Sequence, residues 1–411
     1  MSIKREVINL SLIVQKFGGS SVADAERLRR VAGIITDTYK DGNSVIVVVS
    51  AQGDTTDDLI EKAKEVNPSP SKREMDMLLS TGEQISASLL AMTIENMGYP
   101  VISLTGWQAG MSTNSKYSAS RIKRINTERV HAELDKKRIV IVTGFQGINK
   151  FDDITTLGRG GSDTSAVALA AACHADLCEI YTDVDGVYTT DPRIVPEAKK
   201  LSEISFDEML ELASLGANVL HNRSVEMAKK YNVNMCVRSS ITRAEGTFVK
   251  EVVNMESMVV RGVTKDNDVA RISLCNIEDT PGKAFRIFSL LAKHNINVDL
   301  IIQSIGRENT KDISFTVSEG NLQETLDLFK NNKDAIGYGD ISYNTDVSKV
   351  SIVGAGMVTN PGVAAKMFEA LYDAHINIHM IATSEIKVSV LIDQGMENKA
   401  IKAIHDKFEL A

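Results

Sequence analysis

The sequence predicts an α/β protein in which an αβα sandwich around a mainly parallel sheet is followed by two small βαββαβ sandwiches. Three observations predict it. Short apolar runs alternate with helical stretches from residue 12 to about residue 238, glycine-rich turns follow such runs, and the chain beyond residue 268 repeats itself with an offset of 80 residues. At 411 residues the chain has room for two or three domains, because single cores seldom grow past roughly 250 residues.

The apolar runs of the first block cover 12–17, 44–50, 101–104, 138–143, 179–182 and 234–238, and the periodic stretches 24–39, 75–97, 164–172 and 206–215 read as helices. Such alternation predicts parallel strands covered by helices on both faces. Ligands of such sheets sit beyond the strand C-termini. The glycine turns and the polar segments 51–57 and 183–193 all fall at strand ends, so one rim collects them. A Pro-containing turn at 67–70 separates helical stretches. A polar passage at 242–250 closes the block, which is expected to span 1–245.

One turn holds Arg159, Gly160, Gly161, Ser162 and Asp163 ahead of an Ala-rich helix; the other is KFGGSS, from Lys16 through Gly18, Gly19 and Ser20 to Ser21. A glycine-rich turn at a helix start exposes N–H groups that favour anions. The alternative is that the glycines serve only a tight turn. Two anion cradles and two cations imply a polyphosphate together with a second acid.

In the repeat, Pro281-Gly282 recurs as Pro361-Gly362, Phe288 as Phe368, Leu291 as Leu371, and Ile296-Asn297-Val298 as Ile376-Asn377-Ile378. Each copy leads from a strand through a Pro-Gly turn into a helix with apolar residues at i, i+3, i+4 and i+7, and proline suits the first helical turn. The first copy, 268–344, reads βαββαβ. The second, 346–411, lacks one strand. The apolar segment 258–263 is expected to supply it, so that the second module comprises 256–264 plus 346–411 and the first is inserted within it.

Composition narrows the ligands. The chain is 43% hydrophobic and 24% charged, and 46 Lys+Arg against 54 Asp+Glu leave a net charge of −8. That balance argues against a nucleic-acid or anionic-membrane partner, and no apolar run approaches the roughly 20 residues of a bilayer span. Four cysteines, none at two-residue metal spacing, suit a reducing compartment. A cytoplasmic location is expected.

Six ordered strings carry a family resemblance: KFGGSSV at 16–22, SAQGDTTD at 50–57, TGE at 81–83, GFQG at 144–147, LGRGGSD at 157–163 and TDVDGVYTTDPR at 182–193. Over essentially its whole length the chain resembles aspartate kinase. The repeated tail is similar to the paired ACT-type regulatory modules of those enzymes, and the resemblance implies an amino-acid-kinase fold for the front block. It also implies transfer of the γ-phosphoryl of ATP to the β-carboxylate of L-aspartate, the first step towards lysine, threonine and methionine.

The chemistry asks for such residues. A carboxylate acceptor with a reference pKa of about 3.9 is already ionised at neutral pH and needs no general base. The obstacle is repulsion between two anions, which cations and N–H dipoles must offset while holding both in line. Lys16, at a strand end beside the amides of Gly18, Gly19 and Ser20, is the expected ATP-side cation. Mg²⁺ should accompany the nucleotide with few protein ligands, and no metal-ligating residue is assigned. Arg159 suits the α-carboxylate of aspartate because a guanidinium grips carboxylates in bidentate fashion, and Glu83 suits its ammonium. By resemblance Ser50, Thr56, Gly160, Gly161, Ser162 and Asp163 line the same ligand, with Lys16, Arg159 and Asp163 catalytic. Thr182, Asp183 and Tyr188 resemble residues that contact the adenosine, and Arg193 one that reaches the phosphates.

Structural alternatives accompany these assignments. Glu83 could be a helix-start acid, and Ser162 and Asp163 could cap the helix that follows. The chain departs from the family at Asn218, where a nucleotide-holding lysine is common, so one cationic contact is lost. The histidines read as packed or surface residues.

ACT-type modules usually pair edge to edge between chains and hold a free amino acid at the seam. The resemblance therefore implies a homodimer or larger assembly, inhibited by lysine, threonine or both. Asp279, Asp299, Gln303, Ser384 and Glu385 would face that effector. Rival readings are a relative acting on glutamate, N-acetylglutamate or UMP, and a catalytically silent amino-acid sensor.

Overall fold

The computed structural model describes residues 11–215, 219–251, 259–305, 309–358 and 360–411. They fall into two compact units: residues up to 187 with 200–213 and 219–251, and residues 188–199 with 214–215 and 259–411.

The first unit is built on an eight-stranded sheet. Its order is Glu203–Ser205, Thr247–Lys250, Met235–Ser239, Leu177–Thr182, Leu12–Phe17, Ser44–Val49, Ile139–Thr143, Val101–Leu104. All strands from Met235–Ser239 to Val101–Leu104 run parallel, and only Thr247–Lys250 and its neighbour run the other way. SVIVVV at 44–49 and IVIVT at 139–143 are buried almost throughout, as expected of strands with a helix on either face.

Helix Ala25–Lys40 covers one face. Asp24 caps it by accepting from the Arg27 amide at 2.9 Å, and Leu28, Val31, Ala32 and Ile35 form its buried stripe. Helix Gly161–Cys173 is buried almost all round. Its Ser and Ala side chains are small enough to let the helix lie close against the strand Leu12–Phe17. A four-stranded sheet of Ile122–Ile125, Met111–Thr113, Gln146–Ile148 and Ile154–Thr156 completes the unit.

In the second unit, Ile301–Ile305, Thr310–Val317, Ala270–Glu278 and Asp340–Asn344 form one antiparallel sheet in that order. Helices Lys283–Lys293 and Leu322–Asn331 supply Ile287, Leu291 and Phe329 to its core. The second sheet follows the same plan with Met380–Thr383, Lys387–Asp393, Val347–Val353 and finally Gly262–Asp266. The place that Asp340–Asn344 takes in the first sheet is thus filled in the second by a strand that precedes the first module. This strand lies a few residues beyond the expected 258–263; Arg261 already donates its amide to the Val353 carbonyl at 2.7 Å, and Met258 lies outside the described residues.

Residues 188–199 belong to the second unit. The Val263 amide donates to the Thr189 carbonyl at 2.7 Å. The Thr189 hydroxyl donates to the Leu410 carbonyl at 3.1 Å and lies 3.1 Å from His405 Nε2. Val195 and Ala198 join the core of the second module. No helix among the described residues is long and apolar enough to cross a membrane.

Candidate active site

The parallel strands end on one rim, and backbone hydrogen bonds tie their loops edge to edge. Gly144 donates to Val49 at 3.0 Å, Ser50 to Phe17 at 3.2 Å, Gly18 to Tyr181 at 3.3 Å and Ser240 to Thr182 at 3.0 Å. Each amide belongs to the first residue past a strand, so the ladder continues one step beyond the sheet. Phe17 stacks on Tyr181 with ring centroids 4.7 Å apart.

Strand alternation sends Gln15 and Lys16 to opposite faces. Gln15 bonds Glu179 at 2.8 Å and Thr38 at 2.9 Å on the side of helix Ala25–Lys40. Lys16 points to the other side, where its Nζ lies 2.6 Å from Asp163 Oδ1. Lys16 is only 9% exposed, so this pair is shielded from water and stronger than a surface ion pair. Helix Gly161–Cys173 begins at Gly161 with Gly160 as its cap and no side-chain cap bond. Ser162 and Asp163 therefore lie inside the first turn and do not cap the helix; the start predicted at 164 comes three residues earlier.

Glu83 sits near the middle of helix Lys72–Asn96, far from a helix start, which removes the macrodipole reading. Asp76, Ser80 and Glu83 share one face at i, i+4 and i+7. The buried Asp76 carboxylate accepts the Ser118 amide at 2.9 Å, the Thr156 amide at 2.9 Å and the Thr156 hydroxyl at 2.8 Å. Gln146 Nε2 donates to the Ser80 carbonyl at 2.8 Å. These bonds lock the helix, and one turn further on Glu83 Oε1 accepts the Ala51 amide at 3.1 Å. Gly82 makes that approach possible, because a Cβ there would stand 2.8 Å from Ala51 Cβ.

Glu83 Oε2 is buried and has no hydrogen-bond partner. Burial pushes the carboxyl up to about 7 from 4.5, with the Ala51 amide partly opposing. An orphaned oxygen on a half-ionised buried acid is the donor-seeking group a cationic ligand would satisfy.

Arg159 is exposed, and among the described residues no carboxylate pairs with it. Its turn is held firmly. Leu157 donates to Phe145 at 2.8 Å and Gly161 to Gly158 at 3.0 Å, while Gly160 adopts φ +67° directly against the His221 ring. Ser50 opens the loop after Val49, and Thr56 lies in the first turn of helix Thr55–Val66. Ser20 and Asp183 line a pocket of about 410 Å³ with Arg27, Arg30 and Ser240. The Thr182 hydroxyl donates to Asp183 Oδ1 at 2.8 Å.

Lys16, Gly18, Gly19, Ser50, Glu83, Arg159, Ser162, Asp163, Thr182 and Asp183 all belong to the first unit. Tyr188 and Arg193 do not: they lie in the second, where Tyr188 packs on the module core. Arg193 is gripped by Asp191, with Nε to Oδ1 at 3.0 Å and an η-nitrogen to Oδ2 at 2.8 Å. Asn218 lies outside the described residues.

Of the residues expected to face an effector, Asp299 is taken by the buried Lys349, which also pairs with Asp266 at 3.0 Å. Asp279 pairs with Lys311 at 2.8 Å. Gln303, Ser384 and Glu385 are exposed.

Sequence reasoning missed Asp76 and Gln146. Asp76 had a signal, an acid seven residues before Glu83 on the same helix face. Gln146 stood inside the string GFQG at 144–147 with no role given to it.

The profile of the amino acid kinase family matches residues 11–239, and two ACT domain profiles match 271–334 and 350–408. An aspartokinase of Bacillus sp. (strain MGA3) is 51% identical over 403 residues, covering 98% of each chain. The chain belongs to the amino acid kinase family, among the aspartokinases. As a member it is a phosphotransferase, and its fold agrees with solved aspartokinases. The crystal structure of E. coli aspartokinase III in complex with aspartate and ADP (R-state) matches with a TM-score of 0.82 at 26% identity, over 97% of this chain and 100% of that one. The same E. coli enzyme in complex with lysine and aspartate (T-state) matches with a TM-score of 0.75 at 25% identity, over 97% and 99%.

Proposed function

We propose that the chain transfers the γ-phosphoryl of ATP to the β-carboxylate of L-aspartate, giving 4-phospho-L-aspartate, the first step towards lysine, threonine and methionine. The observation that carries this reading is the shielded Lys16–Asp163 pair at 2.6 Å on the same rim as the orphaned oxygen of Glu83. Lys16 and the amides of Gly18, Gly19 and Ser20 attract the phosphates, and Asp163 keeps the Lys16 ammonium aimed at them. Glu83 takes the α-ammonium of aspartate and Arg159 its α-carboxylate, with Ser50, Thr56, Gly160, Gly161 and Ser162 lining the pocket. The β-carboxylate is then left facing the phosphoryl group as an ionised nucleophile. Thr182 and Asp183 are assigned to the nucleotide.

Mg²⁺ would arrive on the nucleotide, neutralising charge on its phosphates. Among the described residues no group of three or more His, Cys, Asp or Glu forms a ready cage. The reading further includes a homodimer or larger assembly through the ACT modules, feedback by lysine or threonine at Asp279, Asp299, Gln303, Ser384 and Glu385, and a cytoplasmic enzyme. Since Asp299 and Asp279 already hold Lys349 and Lys311, an effector ammonium would have to compete with those cations.

The deciding experiment supplies ATP and Mg²⁺ with aspartate, glutamate, N-acetylglutamate or UMP in turn, follows ADP release with a coupled assay, and traps any acyl phosphate with hydroxylamine. Hydroxamate from aspartate alone is expected, decreasing when lysine or threonine is added. No product with any acceptor would leave the sensor reading instead.

The Glu83 carboxyl gives a pH prediction. Its ionised form binds an ammonium and its protonated form does not, so KM for aspartate should fall as pH rises through about 7. Glu83→Gln should raise KM and flatten that dependence. The folded carboxyl titrates above its unfolded value of 4.5, so stability is lost as pH rises from about 4.5 to about 7 and is level beyond. The same variant should therefore gain in stability relative to wild type across that interval and keep the gain above it. A wild-type KM that is flat from about pH 6 to pH 8 would remove Glu83 from the ammonium site.

A further inference from the structure

The Arg159 turn is gripped from outside by a residue that no part of the reading above uses. Arg223 lies in the first turn of helix Asn222–Tyr231 and is half-buried. One η-nitrogen donates to the Leu157 carbonyl at 2.8 Å and the other to the Ser120 carbonyl at 2.9 Å. Among the described residues no carboxylate lies within ion-pair distance of it. A guanidinium withdrawn from water without a counter-ion is costly to hold, and here both its arms serve backbone carbonyls on two different loops. The neighbouring His221 caps the same helix, its Nδ1 accepting the Arg223 amide at 3.3 Å, and its ring closes over Gly160.

Both ends of the turn are thereby fixed from one element. Leu157 is clamped at its carbonyl by Arg223 and at its amide by Phe145, while Gly160 abuts His221. Only the Arg159 side chain between them stands free in solvent.

We propose that Arg223 is the positioning residue for the Arg159 turn, setting the height at which Arg159 meets the α-carboxylate of the acceptor. This rests on the reading of Arg159 as the carboxylate-binding cation. Arg223 touches no reacting atom; it acts through Leu157 and Ser120. A misplacement on the order of 1 Å in such a turn can cost ~100-fold, and lysine, with one ammonium in place of a planar fork, can serve only one carbonyl well.

The test is steady-state kinetics on the full-length protein carrying Arg223→Lys or Arg223→Ala, with hydrogen exchange read on peptides covering 157–165. Arg223→Ala should raise KM for aspartate at least ~10-fold while KM for ATP changes less than about twofold. Arg223→Lys should fall between Ala and wild type, and exchange should quicken in 157–165 in both. An unchanged KM for aspartate in Arg223→Ala would overturn the proposal. Parallel loss of both KM values and kcat, with Arg223→Lys no better than Arg223→Ala, would do the same by marking a general structural role. Failure of the wild-type protein to phosphorylate aspartate would refute the functional reading instead, and the exchange measurement would still report whether Arg223 holds the turn.

Discussion

Replacing Lys16 by alanine is expected to leave the fold intact and to lower kcat at least ~100-fold, by analogy with the loss of one oxyanion donor. The ammonium stands at the end of a central strand, 2.6 Å from Asp163 and shielded from solvent. In so dry a position its field acts with little screening on the group being transferred. Its removal has a second effect. Asp163, only 13% exposed, is left as an uncompensated anion beside the path of an anionic phosphoryl group. The double variant Lys16→Ala/Asp163→Asn should therefore recover part of the lost turnover, a non-additivity expected of groups in contact. Circular dichroism and a urea midpoint check the fold, and initial rates at saturating ATP and aspartate check the chemistry. Turnover within a few-fold of wild type would show that Lys16 does not act on the phosphoryl group.

A methyl group at Gly160 should have the second-largest effect, and on both stability and function. Gly160 adopts φ +67°, where an L side chain costs roughly 1–2 kcal/mol. The added Cβ would lie 2.1 Å from His221 Cγ, an overlap that the imidazole cannot escape by moving its tip because its Cβ is also 2.4 Å away. Overpacking of this kind costs about 1–3 kcal/mol, so Gly160→Ala should destabilise by about 2–5 kcal/mol. It should also raise KM for aspartate, because the turn carrying Arg159 must shift. Gly160→Ala/His221→Ala removes the collision and retains the backbone strain. Its urea midpoint should lie above that expected from adding the two single effects. Strict additivity would mean that His221 does not press on the turn.

Much of the fold was legible because its signals are local. Continuous Val and Ile runs bounded by turns identify buried parallel strands, and glycines directly after them mark the rim. An 80-residue repeat shows two modules on one plan, and the shortage of one strand in the second copy directs attention to an apolar segment upstream. The actual pairing of Gly262–Asp266 with Val347–Val353, shifted a few residues along, depends on side-chain register between segments far apart in the chain. Local pattern cannot supply that register.

Site residues divide in the same way. Lys16, Gly18, Gly19, Arg159, Gly160 and Asp163 were visible as charged residues beside glycines, since a backbone that must approach an anion needs those residue types wherever it occurs. Which groups meet across the rim was not visible. That Asp163 reaches Lys16, that Asp76 and Gln146 lock the helix presenting Glu83, and that Arg223 clamps Leu157 depend on how helices lie against a sheet. Tyr188 and Arg193 sit in one string with Thr182 and Asp183, yet the chain passes from one compact unit to the other between them, because Val195 and Ala198 bury their surface in the second module's core. The sequence by itself determined the succession of apolar runs along the chain, the rim chemistry and the duplicated tail, all of which follow from residue type and spacing. Only the tertiary structure decided the partners of each charge and the body to which each loop belongs, because burial and distance are properties of packing between segments remote in the chain.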